Sequence, residues 1–206
     1  MPNTLQRSIG ILASIVTAPI IGVLALAIRV DSPGPTIFAA QRVGRKGRVF
    51  SCFKLRTMRW SGTGSGPAIS FADDRRVTRV GGWLRRHRLD ELPQLWNVAR
   101  GEMALIGPRP EDPRFVDLDD ELHREIYSGL PGITGLTQLA FVDEATLIDP
   151  YDPDRHYRES ILPMKLALDR DYLRRRSLGL DLWILGQTLG TALGRRTPRE
   201  AIEARR

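Results

Sequence analysis

The chain has 206 residues, room for one domain with an appendage, and its 42% hydrophobic and 27% charged composition excludes a disordered polypeptide. A mean hydropathy of −0.23 excludes a polytopic membrane protein but not a single buried segment. One cysteine, Cys52, excludes an intramolecular disulfide and a cysteine-based zinc site, and His87, His123 and His156 have no metal-ligand spacing.

The net charge is +7 and the isoelectric point about 10.3. Arginine carries nearly all of it, since Lys46, Lys54 and Lys165 are the only lysines. The tail 195–206 alone holds five arginines against two glutamates. Such a balance points to an anionic partner, whether nucleic acid, a phosphorylated ligand or an anionic membrane face, or else to a solvated basic surface with no partner at all.

Residues 9–28 form a run of 20 residues without a charge, flanked by Arg7 and Arg29. As a helix the run covers about 30 Å, the thickness of a bilayer core. Four readings compete: a cleaved signal peptide with Ala25-Leu26-Ala27 as its site, a spanning helix, a buried core helix, and a re-entrant helix broken at Ala18-Pro19. Proline removes a helix hydrogen bond and clashes one turn back. Basic residues at both ends permit both ends to be cytoplasmic.

Asp31-Ser32-Pro33-Gly34-Pro35 is a turn cluster. The segment 36–58 reads as extended, with Gly44 and Gly47 marking a hairpin. SGTGSGP (61–67) lacks the spacing of a phosphate-binding loop and reads as a surface loop. Residues 73–88 lead into an amphipathic helix, and a short helix runs over 93–100 with Pro93 at its start and Gly101 at its end. Residues 104–113 are apolar, then rigid; 114–128 read as a helix; 130–139 as a turn and strand; 156–175 and 178–193 as two further helices. The aggregate is an α+β chain, mostly helical, with a small β-hairpin.

Asp90 and Glu91 sit before the short helix. Their bland role is an acidic pair favoured by the helix dipole, which keeps both ionised. An ionised, pre-positioned carboxylate also suits a metal ligand or a phosphoryl-accepting nucleophile. Cations surround the pair: Arg85, Arg86 and Arg88 precede it, Arg109 follows in Gly107-Pro108-Arg109-Pro110, and Lys54 and Arg56 lie on the extended segment. Guanidinium matches phosphate bidentately. Cations set around two carboxylates suggest a site for a divalent metal and a diphosphate.

DSPGP, QRVGRKGRVFSCFKLRTM, RRVTRVGGWLRRHRLDELPQLWNVARGEMALIGPRPE and PGITGLTQ, in this order, resemble the bacterial sugar transferase family, the small monotopic phosphoglycosyl transferases. The resemblance runs from about residue 5 to about residue 193. It implies transfer of a phosphosugar from a UDP-sugar to a polyprenyl phosphate such as undecaprenyl phosphate, with UMP released and Mg²⁺ as cofactor, at the cytoplasmic face of the bacterial inner membrane. It implies that Asp90 is the nucleophile that carries the phosphosugar, that Asp90 and Glu91 lie at the metal, and that Lys54, Arg56, Arg85, Arg86, Pro108, Arg109 and Gln138 line the phosphate and substrate site. It also implies a re-entrant helix over 1–30, a compact interfacial catalytic domain over 31–194, and a basic tail over 195–206. Two positions depart from the family. Ala18 replaces the usual serine before Pro19, leaving Thr17 as a substitute hydroxyl for the carbonyl that proline frees, and Leu130 replaces the usual arginine before PGITG. Trp60, Trp83 and Trp96 are candidates for the membrane interface or for core packing. Membrane lipid is an expected partner, and a two-fold homodimer is the commonest default assembly. Nucleic acid is not expected, since the chain shows neither a nucleic-acid fold motif nor a basic face interleaved with aromatics. The alternative from a different class is a membrane-tethered basic binding module without catalysis.

Overall fold

The computed structural model describes residues 3–62, 68–193 and 201–202. The loop 61–67 and the basic tail fall largely outside these. Of the tail only Ala201 and Ile202 are described, and Ile202 is buried against Ile106, Leu136 and Ile184.

Helix α1 spans Asn3–Asp31. It stays helical through Ala18 and Pro19, so the break expected there is instead a continuous helix with a proline inside. Thr17 Oγ1 donates to Ala13 O at 2.7 Å. It therefore leaves alone the Ile15 carbonyl, which lies four residues before Pro19 and loses its N–H partner to it. One face of α1 meets the rest of the chain at both ends. Near the start, Gln6 Oε1 accepts from Leu105 N at 3.0 Å and Arg7 Nε donates to Ala99 O at 3.2 Å. Gly10 lies so close to Ala99 that a Cβ there would stand 2.7 Å from the Ala99 nitrogen. Near the end, Ile28 packs with Leu55 and Leu84, flanked by Ile21 and Leu24. The other face, with Leu12, Ile15, Val16, Val23 and Leu26 each more than 60% exposed, is left open by the described residues.

The hairpin predicted from the glycines is present. Strands β1 (Ile37–Val43) and β2 (Val49–Leu55) pair antiparallel with Ala40 opposite Cys52. The turn between them is a short 3-10 segment, Arg45–Gly47. Helix α2 covers Arg79–Arg86, with Thr78 Oγ1 accepting from Gly81 N as its N-cap. Residues 73–77 before it are a turn rather than helix. A 3-10 turn, Leu89–Glu91, then leads to α3 (Gln94–Arg100), where Pro93 is the N-cap and Gly101 closes the helix.

A second sheet was not foreseen as a pair. Strand β3 (Ala104–Ile106) lies parallel to β4 (Gly132–Thr134). A side chain on Gly132 would run into the Gly107 backbone, so this register needs glycine there. The helix expected over 114–128 shrinks to a 3-10 turn, Pro113–Phe115, and α4 (Glu121–Ile126), which Asp120 caps through His123 N at 3.1 Å. Helix α5 (Leu136–Ala140) follows β4 directly.

The helix predicted over 156–175 is assembled from three parts. These are α6 (Pro153–His156), a wide π-type turn (Tyr157–Ile161) and α7 (Leu162–Arg175). Pro163 has no N–H for the carbonyl four residues back, and the widened turn precedes it directly. Helix α8 covers Leu178–Ala192. The core lies in two main clusters. Phe115, Ile126, Tyr157 and Ile161 centre one; Ile106, Leu136, Tyr172 and Ile184 centre the other.

Candidate active site

The site forms where β2, the Leu89–Glu91 turn and the β3–α4 connection meet. Asn97, fully buried on α3, sets the frame. Its Nδ2 donates to Ser51 O and Glu102 Oε2, both at 2.8 Å, and its Oδ1 accepts from Phe53 N at 3.0 Å. One side chain thus completes the outer edge of β2 and holds Lys54 beside the turn. Arg88, between α2 and the turn, takes a left-handed backbone with φ of 55°. Non-glycine residues hold that conformation only when their surroundings fix it. Here the guanidinium is fixed at both ends, donating to Gln138 O at 2.6 Å and to Glu91 Oε2 at 3.2 Å.

The two acids therefore differ. Glu91 is gripped by three cations: Lys54 Nζ at 3.2 Å, Arg88 Nη1 at 3.2 Å and Arg109 Nη1 at 3.8 Å. Burial opposes its charge, but Lys54, Arg88 and Arg109 outweigh burial and hold its pKa well below the ordinary carboxylate range. Asp90 is also buried, yet its carboxylate forms no hydrogen bond or ion pair among the described residues. Burial and the adjacent Glu91 charge push its pKa up against Lys54, Arg85 and Arg88. The expected depression of both acids by the helix dipole is thus matched in direction only at Glu91, where Lys54, Arg88 and Arg109 cause it, while at Asp90 the shift runs the other way. Lys54, Glu91 and Arg109 line a cavity of about 10 Å³, room for about one water molecule.

The other predicted residues divide. Arg85 faces Asp90 electrostatically while its guanidinium donates to Thr57 Oγ1 at 2.8 Å and Ser70 Oγ at 2.9 Å. Burial lowers its pKa. Pro108 O accepts from Gly132 N at 2.8 Å, which locks the turn carrying Arg109 onto β4. Gln138 is 2% exposed and its Nε2 donates to Gly132 O at 3.3 Å; it meets the site through its backbone carbonyl on Arg88. Arg56 lies elsewhere. It is 4% exposed and donates to Pro33 O at 2.7 Å and Ser32 O at 2.8 Å, tying the turn after α1 to the hairpin. Arg86 lines a groove beside α1 that does not include Arg85. Trp60, Trp83 and Trp96 are each about half exposed, so core packing is not their role.

Behind Arg109 stands a buried ionic network that sequence reasoning missed. Lys165 Nζ meets Glu111 Oε1 and Glu144 Oε2, both at 3.0 Å, and the Tyr157 hydroxyl at 2.7 Å. Asp169 accepts from Arg109 N at 3.2 Å and from Thr137 Oγ1. Burial drives the Asp169 pKa up to about 7. Glu111 ends the GPRPE block, and Lys165 is one of only three lysines; those were the available signals. Arg88 stood in the basic run before the acids, but nothing local distinguished it from Arg86.

Magnesium takes oxygen ligands and is commonly held by one or two carboxylates together with substrate phosphates. Among the described residues no three His, Cys, Asp or Glu side chains gather as a protein-only cage. Glu91 is already shared among three cations. The unpaired Asp90 carboxylate fits an ion that arrives with a diphosphate.

The profile of the bacterial sugar transferases matches residues 2–195. The chain belongs to the bacterial sugar transferase family. It is 37% identical over 92% of its length to a UDP-N-acetylgalactosamine-undecaprenyl-phosphate N-acetylgalactosaminephosphotransferase of Aeromonas hydrophila, covering 44% of that protein. It is 38% identical over 85% of its length to a UDP-glucose:undecaprenyl-phosphate glucose-1-phosphate transferase of Caulobacter vibrioides, covering 63% of it. Against the exopolysaccharide production protein PSS of Rhizobium leguminosarum, identity is 33%, with 95% of this chain and 98% of that protein covered. The chain thus spans about half the length of several relatives and nearly all of another. Its Asp90-Glu91 site lies within the matched span.

Proposed function

We propose that this sugar transferase moves a phosphosugar from a UDP-sugar to undecaprenyl phosphate in two steps through Asp90. The observation that carries the reading is the pairing of a buried, unpartnered Asp90 with a Glu91 clamped by Lys54, Arg88 and Arg109. In the first step an Asp90 oxygen attacks the sugar-linked phosphorus. The bond from that phosphorus to the bridging oxygen breaks, and UMP leaves with the bond's electrons. In the second step a phosphate oxygen of the lipid attacks the same phosphorus. The aspartyl bond breaks, Asp90 is regenerated and polyprenyl-diphosphate-sugar forms. A covalent route lets a soluble nucleotide sugar and a membrane lipid use one site in turn.

The chain's own groups supply the electrostatics. Lys54 and Arg109 neutralise the diphosphate while Glu91 keeps them in place, and Arg85 supports Asp90 from α2. Mg²⁺, held by Asp90 together with the donor's phosphates, would add charge neutralisation at those oxygens.

Membrane placement belongs to the same reading. Residues 6–10 and 21–31 of α1 contact one body of protein, while an apolar face between them is bare, and this supports both ends of the helix lying on one side of the bilayer. In this reading the helix is re-entrant by bending at Pro19 rather than by breaking there, at the cytoplasmic face of the inner membrane, with an interfacial domain beneath it. The Rhizobium relative's name supports a role in exopolysaccharide production, and the transfer to a polyprenyl phosphate would make it the first membrane step of that synthesis or of another surface glycan's.

The test is UMP release from a panel of UDP-sugars that includes UDP-glucose and UDP-N-acetylgalactosamine, with Mg²⁺ and undecaprenyl phosphate, for wild type and Asp90→Asn. UMP from one donor, dependent on the lipid and lost in the variant, is the expected result. No UMP from any donor, together with salt-sensitive nucleic-acid binding that survives Asp90→Asn, would favour the membrane-tethered binding module instead.

A further inference from the structure

A groove of about 580 Å³ runs between the second half of α1 and α2, apart from the Asp90 site. Its apolar wall is Leu24 and Ala27 of α1 with Val80 of α2. Its polar wall is Arg79 and Arg86, with Trp83 between them on the same face of the helix. Both arginines are exposed, and neither forms a hydrogen bond or ion pair among the described residues. Among the described residues one acid lines the groove, Asp31, and it is engaged: its Oδ2 accepts from Val80 N at 3.1 Å in the first turn of α2. The half-exposed Trp83 adds the amphipathic ring that favours headgroup depth. Beyond the rim lie Val23, Leu26 and Val30, 66–81% exposed on the bare side of α1.

We propose that this groove binds an anionic phospholipid of the bilayer, its phosphodiester between Arg79 and Arg86 and an acyl chain along Leu24 and Ala27. The proposal rests on the membrane placement of α1, not on the transfer chemistry. Charge complementarity selects an anionic lipid over a zwitterionic one, since two unpaired guanidinium groups meet one acid already in use. Position selects a resident lipid over the acceptor lipid. Arg85 and Arg86 are neighbours in sequence but diverge by about 100° around α2, Arg85 towards Thr57, Ser70 and Asp90, Arg86 into the groove, whose lining includes neither Arg85 nor Asp90. A phosphate held by Arg86 in this groove therefore does not face Asp90, which the groove does not include. A lipid there would fasten α2, and with it Arg85, to the membrane surface.

The experiment uses the full chain. Flotation with neutral phosphatidylcholine vesicles first tests membrane placement. Native mass spectrometry of the chain in detergent, titrated with phosphatidylglycerol or phosphatidylcholine, then tests the groove. Expected are flotation and a retained phosphatidylglycerol, with affinity about tenfold or more weaker in Arg79→Gln/Arg86→Gln. Arg45→Gln/Arg48→Gln, which removes the same charge from the hairpin turn, is expected to retain the lipid. Ala27→Phe fills the groove from α1 without changing charge and is expected to weaken binding too, which covers the case in which the arginine variant fails to fold. Equal weakening in both arginine pairs would overturn the proposal in favour of diffuse attraction. Equal retention of phosphatidylcholine would overturn the charge argument. Displacement of phosphatidylglycerol by equimolar undecaprenyl phosphate would assign the groove to the acceptor. Absence of flotation would overturn the membrane placement and the groove with it, whereas flotation without phosphatidylglycerol retention would overturn the groove alone.

Discussion

Two adjacent acids in one turn hold different electrostatic positions, and this difference can be tested residue by residue. Asp90→Asn keeps the size of the side chain and removes the nucleophile, so turnover and the covalent phosphosugar adduct are both expected to vanish; intact-mass analysis after incubation with donor reads the adduct. Glu91→Gln leaves Lys54, Arg88 and Arg109 without their shared anion. Removing one partner from a buried ion pair destabilises by about 3–5 kcal/mol. Because these side chains are 11–26% exposed, a loss on the order of 3 kcal/mol is expected in denaturant titration, alongside a severe loss of rate. Asp169 behaves in the opposite sense to Glu91. Its pKa of about 7 in the folded chain lies above the unfolded value, so the native state holds a proton that the unfolded state has released between about pH 4 and pH 7. Its contribution to stability is therefore full below pH 4 and is lost as pH rises through 7. Asp169→Asn can still accept from Arg109 N and can donate to Thr137 Oγ1. It is expected to flatten the stability profile between pH 4 and 7 and to exceed wild type at pH 8 by on the order of a few kcal/mol. Urea midpoints across that range check the sign.

At the level of elements, what was readable in the sequence was what short-range chemistry determines. Gly44 and Gly47 marked the hairpin, and Pro93 and Gly101 bracketed α3 to within a residue. The Asp90-Glu91 pair and Arg109 were found because they stand in compact, unusual strings. The β3–β4 pair was missed because a parallel ladder joins segments about 28 residues apart, and nothing local announces which partner a three-residue strand will take. The network of Lys165, Glu111, Glu144 and Asp169 was missed for the same reason, since α7 and the GPRPE turn meet only in three dimensions. Arg56 shows the converse error. Its place in a basic string suggested phosphate binding, yet its guanidinium is spent on the Ser32 and Pro33 carbonyls. Hydrogen bonds from a charged group contribute about 1.5–3 kcal/mol each. Arg56→Ala is accordingly expected to lower stability by on the order of 3 kcal/mol while the KM for donor stays within about twofold of wild type. A large rise in KM with unchanged stability would return Arg56 to the substrate site.

For the whole molecule, the decisive relation is between α1 and the body it sits on. A helix of 29 residues with an apolar mid-section is long enough to cross a bilayer, and composition alone cannot separate crossing from returning. The packing bears on the proposal that it returns. Gln6, Arg7 and Gly10 are held by α3 and β3, and Ile28 and Asp31 by β2 and α2, so moving the first turn of α1 to the far side of a membrane would break three anchoring contacts. Cysteines placed at Thr4 and Gly62 in a Cys52→Ala background are therefore expected to react with a membrane-impermeant maleimide from the same side, in inverted vesicles and not in intact cells. Gly10→Val provides the complementary perturbation. The added side chain has no space against Ala99, so it is expected to detach the start of α1 from α3 and expose both to limited proteolysis. Labelling of Thr4→Cys in intact cells would place the two ends of α1 on opposite sides and make it a spanning helix. Labelling from the cytoplasmic side alone, lost from neither cysteine in wild type but altered at position 4 by Gly10→Val, would tie the return of the helix to its grip on α3 rather than to the proline within it.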